Sequence, residues 1–164
     1  MRNKRVASLD SFDRAILALL QLDNKMPQHR IGDAVNLSTA AVQRRIRQME
    51  KTGVIRANVA VLDPVLLGRP LTLIVGVKLD SERNDVMTAT RNALAACPLV
   101  QQCYYVTGDF DFVTVMTVRD MHEFETVSTE LFRNDSNVRE FRTYVVMNSI
   151  KSGLALPVDQ GAEP

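Results

Sequence analysis

Residues 36–53, NLSTAAVQRRIRQMEKTG, decide the fold of the first third of this 164-residue chain. Ser38 can cap a helix by accepting a hydrogen bond from an unpaired backbone N–H, and Gly53 is a natural helix stop. Between these two residues, apolar side chains recur at the spacing of one helix face, at Val42, Ile46 and Met49. The stretch therefore predicts a helix with one apolar side.

The remaining faces of this predicted helix are polar and basic, and no acidic residue occurs between Asp33 and Glu50. A helix of this kind can lie in the major groove of DNA, where side chains near its start face base edges and arginines reach phosphates or guanines. In an isolated basic helix, such arginines more often only keep one face of the helix solvated. In this context we predict DNA contacts from Ser38, Thr39, Ala40, Gln43, Arg44, Arg45, Arg47 and Gln48.

Two further helices are predicted upstream, over residues 9–22 and 27–35. Residues 12, 16, 19 and 20 form an apolar stripe on the first, and Pro27 suits the first turn of the second because its missing N–H would be unpaired there. The short connection Asn36-Leu37-Ser38 then joins the second helix to the basic one. Two helices joined in this way predict a helix-turn-helix.

The charge of the chain is divided between its two halves. Residues 1–63 carry 11 basic and 6 acidic side chains, whereas residues 64–164 carry 9 and 13, so a net charge of +1 hides +5 and −4. A basic half is attracted to nucleic acid because binding releases condensed counterions. We expect a DNA-binding domain with a linker strand over residues 1–63, a second domain over 64–156 and a flexible tail over 157–164.

The second half alternates strand and helix patterns. A β-branched run over 54–62 predicts a linker strand, and further strands are predicted over 71–79, 99–107, 110–118 and 138–150. Asp80 and Ser81 are expected to cap a helix that ends at Ala96, and Asp120 to start another. The order β-α-β-β-α-β predicts a ferredoxin-like α+β sandwich, with both helices on one face of an antiparallel sheet.

The strands carry too many apolar residues for the other sheet face to remain in water. The residues that suggest a second apolar face are Val75, Val77, Tyr105, Val113, Val115 and Val145. Dimerisation through the sheets would cover that face. A monomer with scattered surface valines is the alternative.

Several kinds of activity lack the residues that they need. The two histidines, His29 and His122, lie in unrelated surroundings, the two cysteines do not form a metal site of known spacing, and no phosphate-binding loop occurs. We therefore expect no enzyme activity, no metal and no cofactor. Neither a membrane-spanning run nor a signal-peptide core is visible, so a cytoplasmic location is expected.

Four segments of the chain resemble a known family. They are residues 9–17, the Leu37-Ser38 pair before the basic helix, residues 49–55 (MEKTGVI), and residues 105–111 (YVTGDFD) with a T-G-x-[YF]-D turn. Together they resemble the Lrp/AsnC family of bacterial and archaeal transcription regulators, over about residues 8–156. The combination is more specific than the helix-turn-helix alone.

The resemblance implies a winged helix-turn-helix followed by a ligand-responsive αβ-sandwich domain. It also implies dimers formed through the C-terminal sheets, further assembly into tetramers or octamers, and a pocket for an amino acid or related small molecule around the T-G-x-[YF]-D turn. By this matching, the effector-binding positions are Tyr105, Val106, Thr107, Gly108, Asp109, Asp111, Val127, Val138, Arg139, Glu140, Phe141 and Arg142.

The turn is chemically suited to such a ligand. Gly108 allows a positive φ and leaves backbone N–H groups accessible to a carboxylate, while Asp109 or Asp111 could pair with an ammonium group. A plain hairpin turn with Asp111 as its cap is the alternative. Arg139 and Arg142 could recognise a carboxylate or balance Glu140.

We expect a sequence-specific transcription regulator that binds double-stranded DNA and responds to an amino acid or related molecule. An architectural DNA-organising protein that senses no effector is the alternative. A ligand-dependent change in DNA affinity or oligomer size separates the two.

Overall fold

A computed structural model describes residues 8–81 and 83–158 of the chain. Contacts group the described residues into two units, 8–60 together with 152–158, and 61–151. Most of the expected flexible tail, residues 159–164, lies outside the described residues. No helix within the described ranges is long and apolar enough to cross a membrane.

Among the described residues, three helices form the first unit: α1 (Ser11–Leu22), α2 (Gln28–Val35) and α3 (Thr39–Thr52). The ends of α3 confirm the prediction, since the Oγ of Ser38 accepts a hydrogen bond from the backbone N–H of Ala41 at 3.3 Å and Gly53 has a φ of 75°. The apolar faces of the three helices meet in one small core built on Ile16, Ile31, Val35, Val42 and Met49.

The turn between α2 and α3 is tight because two residues allow it. Asn36 takes the left-handed conformation with a φ of 56°, and the N–H of Leu37 donates to the carbonyl of Gly32 at 2.9 Å. A Cβ on Gly32 would lie 2.5 Å from the carbonyl oxygen of Leu37. Glycine at this position therefore lets the chain turn directly onto α2, as the helix-turn-helix prediction requires.

The prediction of a strand over residues 54–62 is wrong. These residues form no strand, so the wing implied by the resemblance is missing from this segment of the structure. Val59, Val61 and Leu62 are exposed. The β-branched composition favours extended backbone, but a strand also needs a partner for its N–H and C=O groups, and the described residues supply none here.

The second unit confirms the predicted β-α-β-β-α-β order. Its elements are β1 (Leu71–Leu79), α4 (Asn84–Ala96), β2 (Val100–Tyr105), β3 (Phe112–Val118), α5 (Met121–Ser128) with a following π-helical turn (Thr129–Arg133), and β4 (Val138–Val145). The strands form one antiparallel sheet in the order β2-β3-β1-β4.

The start of α4 and the end of β4 differ from the expectation for local reasons. Ser81 does not cap α4; its hydroxyl accepts the N–H of Arg83 in a turn that delays the helix to Asn84. Strand β4 ends at Val145, five residues earlier than expected, because the partner strand β1 begins at Leu71 and the pairing ends soon after.

The two faces of the sheet are divided by register. Val75 lies opposite Thr114 on β3, and both Val75 and Val77 point into the helix-covered core. The expectation from composition that these two valines belong to a second apolar face is therefore wrong. The opposite face still carries large side chains in water: Ile74, Tyr104 and Tyr144 are 37%, 51% and 54% exposed. Of the residues expected there, Val113 and Val115 do lie on this face, opposite Gly76 and Ile74, whereas Tyr105 and Val145 lie opposite the core residues Phe112 and Leu73. The expectation of an uncovered face is therefore met in part by the predicted residues.

Candidate functional site

The outer face of α3 presents a continuous polar surface. Exposed side chains follow one another from the N-cap along three turns, at Ser38, Thr39, Ala40, Gln43, Arg44, Arg47 and Gln48. Neither Arg44 nor Arg47 forms an ion pair with any described residue. One regular helix thus brings seven of the eight expected DNA-contacting residues to one surface, with two arginines free to meet phosphates.

Arg45 is the eighth expected residue, and the structure does not bring it to this surface. Its Nη1 atom lies 2.8 Å from a carboxylate oxygen of Asp10 and 2.8 Å from one of Asp13. Both acids belong to the start of α1. The assignment of Arg45 to the DNA-contacting set is therefore corrected: its guanidinium is already paired within the protein.

The T-G-x-[YF]-D segment forms a loop longer than the sequence predicted. Strand β2 ends at Tyr105 and β3 begins at Phe112, and the N–H of Val106 closes the loop by donating to the carbonyl of Asp111 at 2.9 Å. Gly108 has a φ of 131°, which other residues rarely adopt. Thr107, Gly108 and Asp109 are exposed at the tip.

Asp111 fixes the base of this loop. Its backbone N–H donates to the carbonyl of Val77 at 2.9 Å, and its Oδ2 accepts the N–H of Leu79 at 2.7 Å. The carboxylate therefore completes the hydrogen bonding of β1 where β3 turns away. Of the two open interpretations, this geometry favours the structural cap over an ammonium partner, which leaves Asp109 as the exposed acid of the loop.

Phe110 belongs to this loop, but the sequence analysis did not include it among the expected effector positions. A Cβ on Gly76 would lie 2.6 Å from its ring, so the ring rests directly on the glycine backbone of β1. The guanidinium of Arg142, which lies opposite Gly76 on β4, stacks 5.7 Å from the centre of the same ring. A lone glycine inside an apolar strand is a known sign of such a close approach and could have indicated it.

The other expected effector residues fall into two groups. Val127 is buried, and Val138 and Phe141 are half-buried against the same core, where Phe141 packs on Phe132 with ring centres 5.0 Å apart. These positions support the domain from inside. Arg139 and Glu140 are exposed on β4, and Glu140 lies 3.5 Å from Arg142. The structure thus places Arg142 next to the loop, stacked on the Phe110 ring, whereas Val127 points into the core and away from the loop.

No cluster of three potential metal ligands occurs among the described residues. Burial raises the pKa of the Cys103 thiol, which disfavours its reactive thiolate form.

Comparisons with known proteins agree with this arrangement. Residues 9–50 match the AsnC-type helix-turn-helix domain, and residues 72–156 match the Lrp/AsnC ligand binding domain. The leucine-responsive regulatory protein of Haemophilus influenzae is 35% identical over 92% of this chain and 91% of its own length.

Solved structures show the same fold. An AsnC family transcriptional regulator from Agrobacterium tumefaciens superposes with a TM-score of 0.84 at 30% identity, covering 91% of this chain and 97% of its own. A transcriptional regulator from Neisseria meningitidis, solved in complex with L-Met, superposes with a TM-score of 0.86 at 24% identity over 93% and 98% of the two chains. With a helix-turn-helix and a ligand-binding domain both matched, this chain belongs to the Lrp/AsnC family of transcription regulators.

Proposed function

We propose that this regulator binds specific DNA sites through the outer face of α3 and that an amino acid, bound at the loop 106–111, changes its operator affinity or its assembly. Such a protein works where the chromosome is, in the cytoplasm. The DNA part rests on the seven exposed residues of α3. We expect the exposed side chains near the helix start, from Ser38 to Gln43, to read bases, and the exposed Arg44 and Arg47 to meet phosphates.

One observation carries the effector part: the hydrogen-bonded loop 106–111 exposes an acid next in sequence to an aromatic ring on which a guanidinium stacks. Asp109 directly precedes Phe110, and Arg142 stacks on the Phe110 ring. An amino acid carries an ammonium and a carboxylate, so an exposed acid and an exposed guanidinium near one apolar ring match both of its charges. Because Asp111 and Gly108 hold the loop, little ordering would be needed on binding.

We further propose that two copies associate through the uncovered sheet face, and that dimers assemble into tetramers or octamers. Ile74, Tyr104 and Tyr144 expose apolar surface there, next to Phe110 and Arg142. Burial of such a patch against a second copy would remove it from water. The effector would then bind beside a subunit interface, where it can bias assembly by its differential affinity for the two states.

Isothermal titration calorimetry of the full-length protein with the twenty amino acids tests the effector proposal, with leucine and methionine first. We expect binding that Asp109→Asn weakens, because the ammonium loses its partner. Glu130→Gln is a matched control, since Glu130 is exposed and has no hydrogen-bond partner among the described residues. Asp111→Asn is expected to lower stability rather than to act on the ligand alone.

Sedimentation velocity and DNA binding of the same samples give the second readout. A coupling of about 1–3 kcal/mol, the usual range, would change operator affinity by about 5–150-fold. If no amino acid binds at millimolar concentration, the effector proposal fails and the architectural, effector-independent function replaces it. A monomer at micromolar concentration would contradict the dimer.

A further inference from the structure

Arg45 lies on α3 but turns away from the exposed surface of that helix. Its side chain is 24% exposed, and its Nη1 bridges the carboxylates of Asp10 and Asp13, 35 and 32 residues earlier in the chain. The Nε atom is buried and finds no hydrogen-bond partner among the described residues. The guanidinium is thus directed into the protein, toward the first turn of α1.

Asp10 and Asp13 are held in place by hydrogen bonds at the start of α1, so their carboxylates cannot shift with Arg45 if α3 moves. Asp10 caps α1 by accepting the N–H of Asp13 at 2.8 Å, and the carboxylate of Asp13 faces the N–H of Asp10 in return at 3.4 Å. Each carboxylate therefore uses one oxygen to hold the start of α1 and the other to hold Arg45. The guanidinium also stacks 5.5 Å from the centre of the Phe12 ring.

The charges of this cluster support each other. The hydrogen bonds that Arg45 donates to Asp13 and to Asp10 raise the pKa of Arg45. The capping N–H of Asp13, together with Arg45, lowers the pKa of Asp10. Both shifts favour the charged forms of Arg45 and Asp10. When two carboxylates on one helix share an ion pair with a guanidinium on another, the contact fixes the angle between the two helices as well as their separation.

We propose that Arg45 is a positioning residue: with Asp10 and Asp13 it holds α3 against the start of α1 in the one orientation from which Arg44, Arg47 and Gln43 reach DNA. This proposal rests on the proposed role of α3 in DNA binding. Arg44 and Arg47 contact DNA, whereas Arg45 acts through the helix that carries them.

Two roles for Arg45 give opposite expectations for Asp13→Asn. A phosphate-contacting Arg45 would be released by this change, and loss of a negative charge would strengthen DNA binding further. A positioning Arg45 loses a partner, so α3 samples several orientations and the apparent affinity falls by the fraction that remains competent. The sign of one isosteric substitution therefore separates the two roles.

The experiment uses the full chain and one labelled duplex, selected by the unaltered protein from a random-sequence pool. Affinity is measured across a salt series for Arg45→Ala, Asp13→Asn, Arg44→Ala and Arg47→Ala, and corrected for the folded fraction of each variant at that temperature. Asp33→Asn serves as the control, since it removes an exposed acid of the same unit that has no hydrogen bond or ion pair among the described residues.

We expect Arg45→Ala and Asp13→Asn each to weaken binding by about threefold to tenfold, as for a helix competent a third to a tenth of the time, with the salt slope unchanged. The double variant should lose little more than either single one, because both break the same contact. Arg44→Ala and Arg47→Ala should each reduce the salt slope by about one.

Three results would overturn the proposal in distinguishable ways. Tighter binding by Asp13→Asn, with a lower salt slope for Arg45→Ala, would make Arg45 a phosphate contact. Lower melting temperatures with unchanged affinity of the folded protein would leave it a stabilising residue only. Unchanged binding by Arg44→Ala and Arg47→Ala would remove α3 itself from the DNA interface, and with it the role of Arg45.

Discussion

The two candidate sites of this protein are assembled in different ways. On α3, neighbouring side chains are carried to one surface by a single capped helix, so residues 38–48 need only the helix itself. At the loop 106–111, the geometry depends on β1 and β4. The N–H of Leu79 donates to the carboxylate of Asp111, the Phe110 ring rests on Gly76, and the guanidinium of Arg142 stacks on that ring. Changes elsewhere can therefore alter the orientation of α3 but not the order of side chains on its surface, whereas changes in β1 or β4 would take the loop site apart.

Two glycines allow this difference to be tested, and one of them gives the largest expected effect. A Cβ at Gly32 would meet the backbone oxygen of Leu37 at 2.5 Å, and a Cβ at Gly76 would meet the side chain of Phe110 at 2.6 Å. Helix propensity alone would make Gly32→Ala stabilising by about 1 kcal/mol. We expect instead a loss of about 1–3 kcal/mol, because the backbone of the turn must shift.

Gly76→Ala is expected to cost less, because the Phe110 ring can rotate away, but it should abolish the proposed amino-acid response. Urea unfolding resolves the two variants. All three tyrosines lie in the second half of the chain, so their fluorescence follows the sheet unit alone, whereas circular dichroism follows the helices of both units. A transition seen by circular dichroism and not by fluorescence therefore reports the three-helix unit. Gly153→Ala, with open space around its Cβ, is the control. A stabilised Gly32→Ala variant would contradict the close packing of the turn.

The same difference explains which features could be predicted from the sequence. Ser38, Gly53 and the apolar spacing of α3 act within a few residues, and both ends of that helix were predicted correctly. The inward direction of Arg45 depends on acids more than thirty residues away, which no local pattern contains. Residues 54–62 illustrate the same limit, because their β-branched pattern gave no indication that a partner strand was lacking.

The loop shows an intermediate case. Gly108 was placed correctly in a turn from its motif, but the alternation of apolar residues could not tell that Val75 faces the core and Ile74 the water. That choice is made by the pairing of β1 with β3, which shifts every side chain to the opposite face if the register slips by one residue.

The stability of the sheet unit is expected to fall at low pH, and this effect should be smaller than that of the glycine substitutions. The backbone N–H of Arg119 and the guanidinium groups of Arg119 and Arg69 lower the pKa of Glu123. A carboxyl with a lowered pKa stabilises the fold above its unfolded pKa, about 4.3, and this contribution disappears as the pH falls through the lower folded value. We therefore expect the tyrosine-monitored stability to fall below about pH 4.3.

Glu123→Gln should remove part of that pH dependence, because the amide does not titrate. Urea midpoints between pH 7 and pH 3 measure the change, with Glu130→Gln as the control. Equal slopes for the Glu123→Gln variant and the unaltered protein would show that the ion pairs with Arg69 and Arg119 do not contribute to folding.

The smallest expected effect concerns residues 152–158, which belong by their contacts to the unit that contains α1. The side-chain amide of Gln21 donates to the carbonyl of Leu156 at 2.9 Å and accepts its N–H at 2.7 Å. Both groups are exposed, so each bond contributes at most about 1 kcal/mol. We expect Gln21→Ala to speed hydrogen exchange at the Leu156 amide by up to about tenfold, with little change in the global urea midpoint.

Gln21→Glu sharpens this test because it keeps an acceptor for the Leu156 N–H and removes only the donor to its carbonyl. Exchange at Leu156 should then lie between the rates of the unaltered protein and Gln21→Ala. If all three proteins exchange at the same rate, the paired hydrogen bonds do not hold this segment in solution. Residues 152–158 would then be independent of α1, and the DNA-binding unit would consist of its three helices alone.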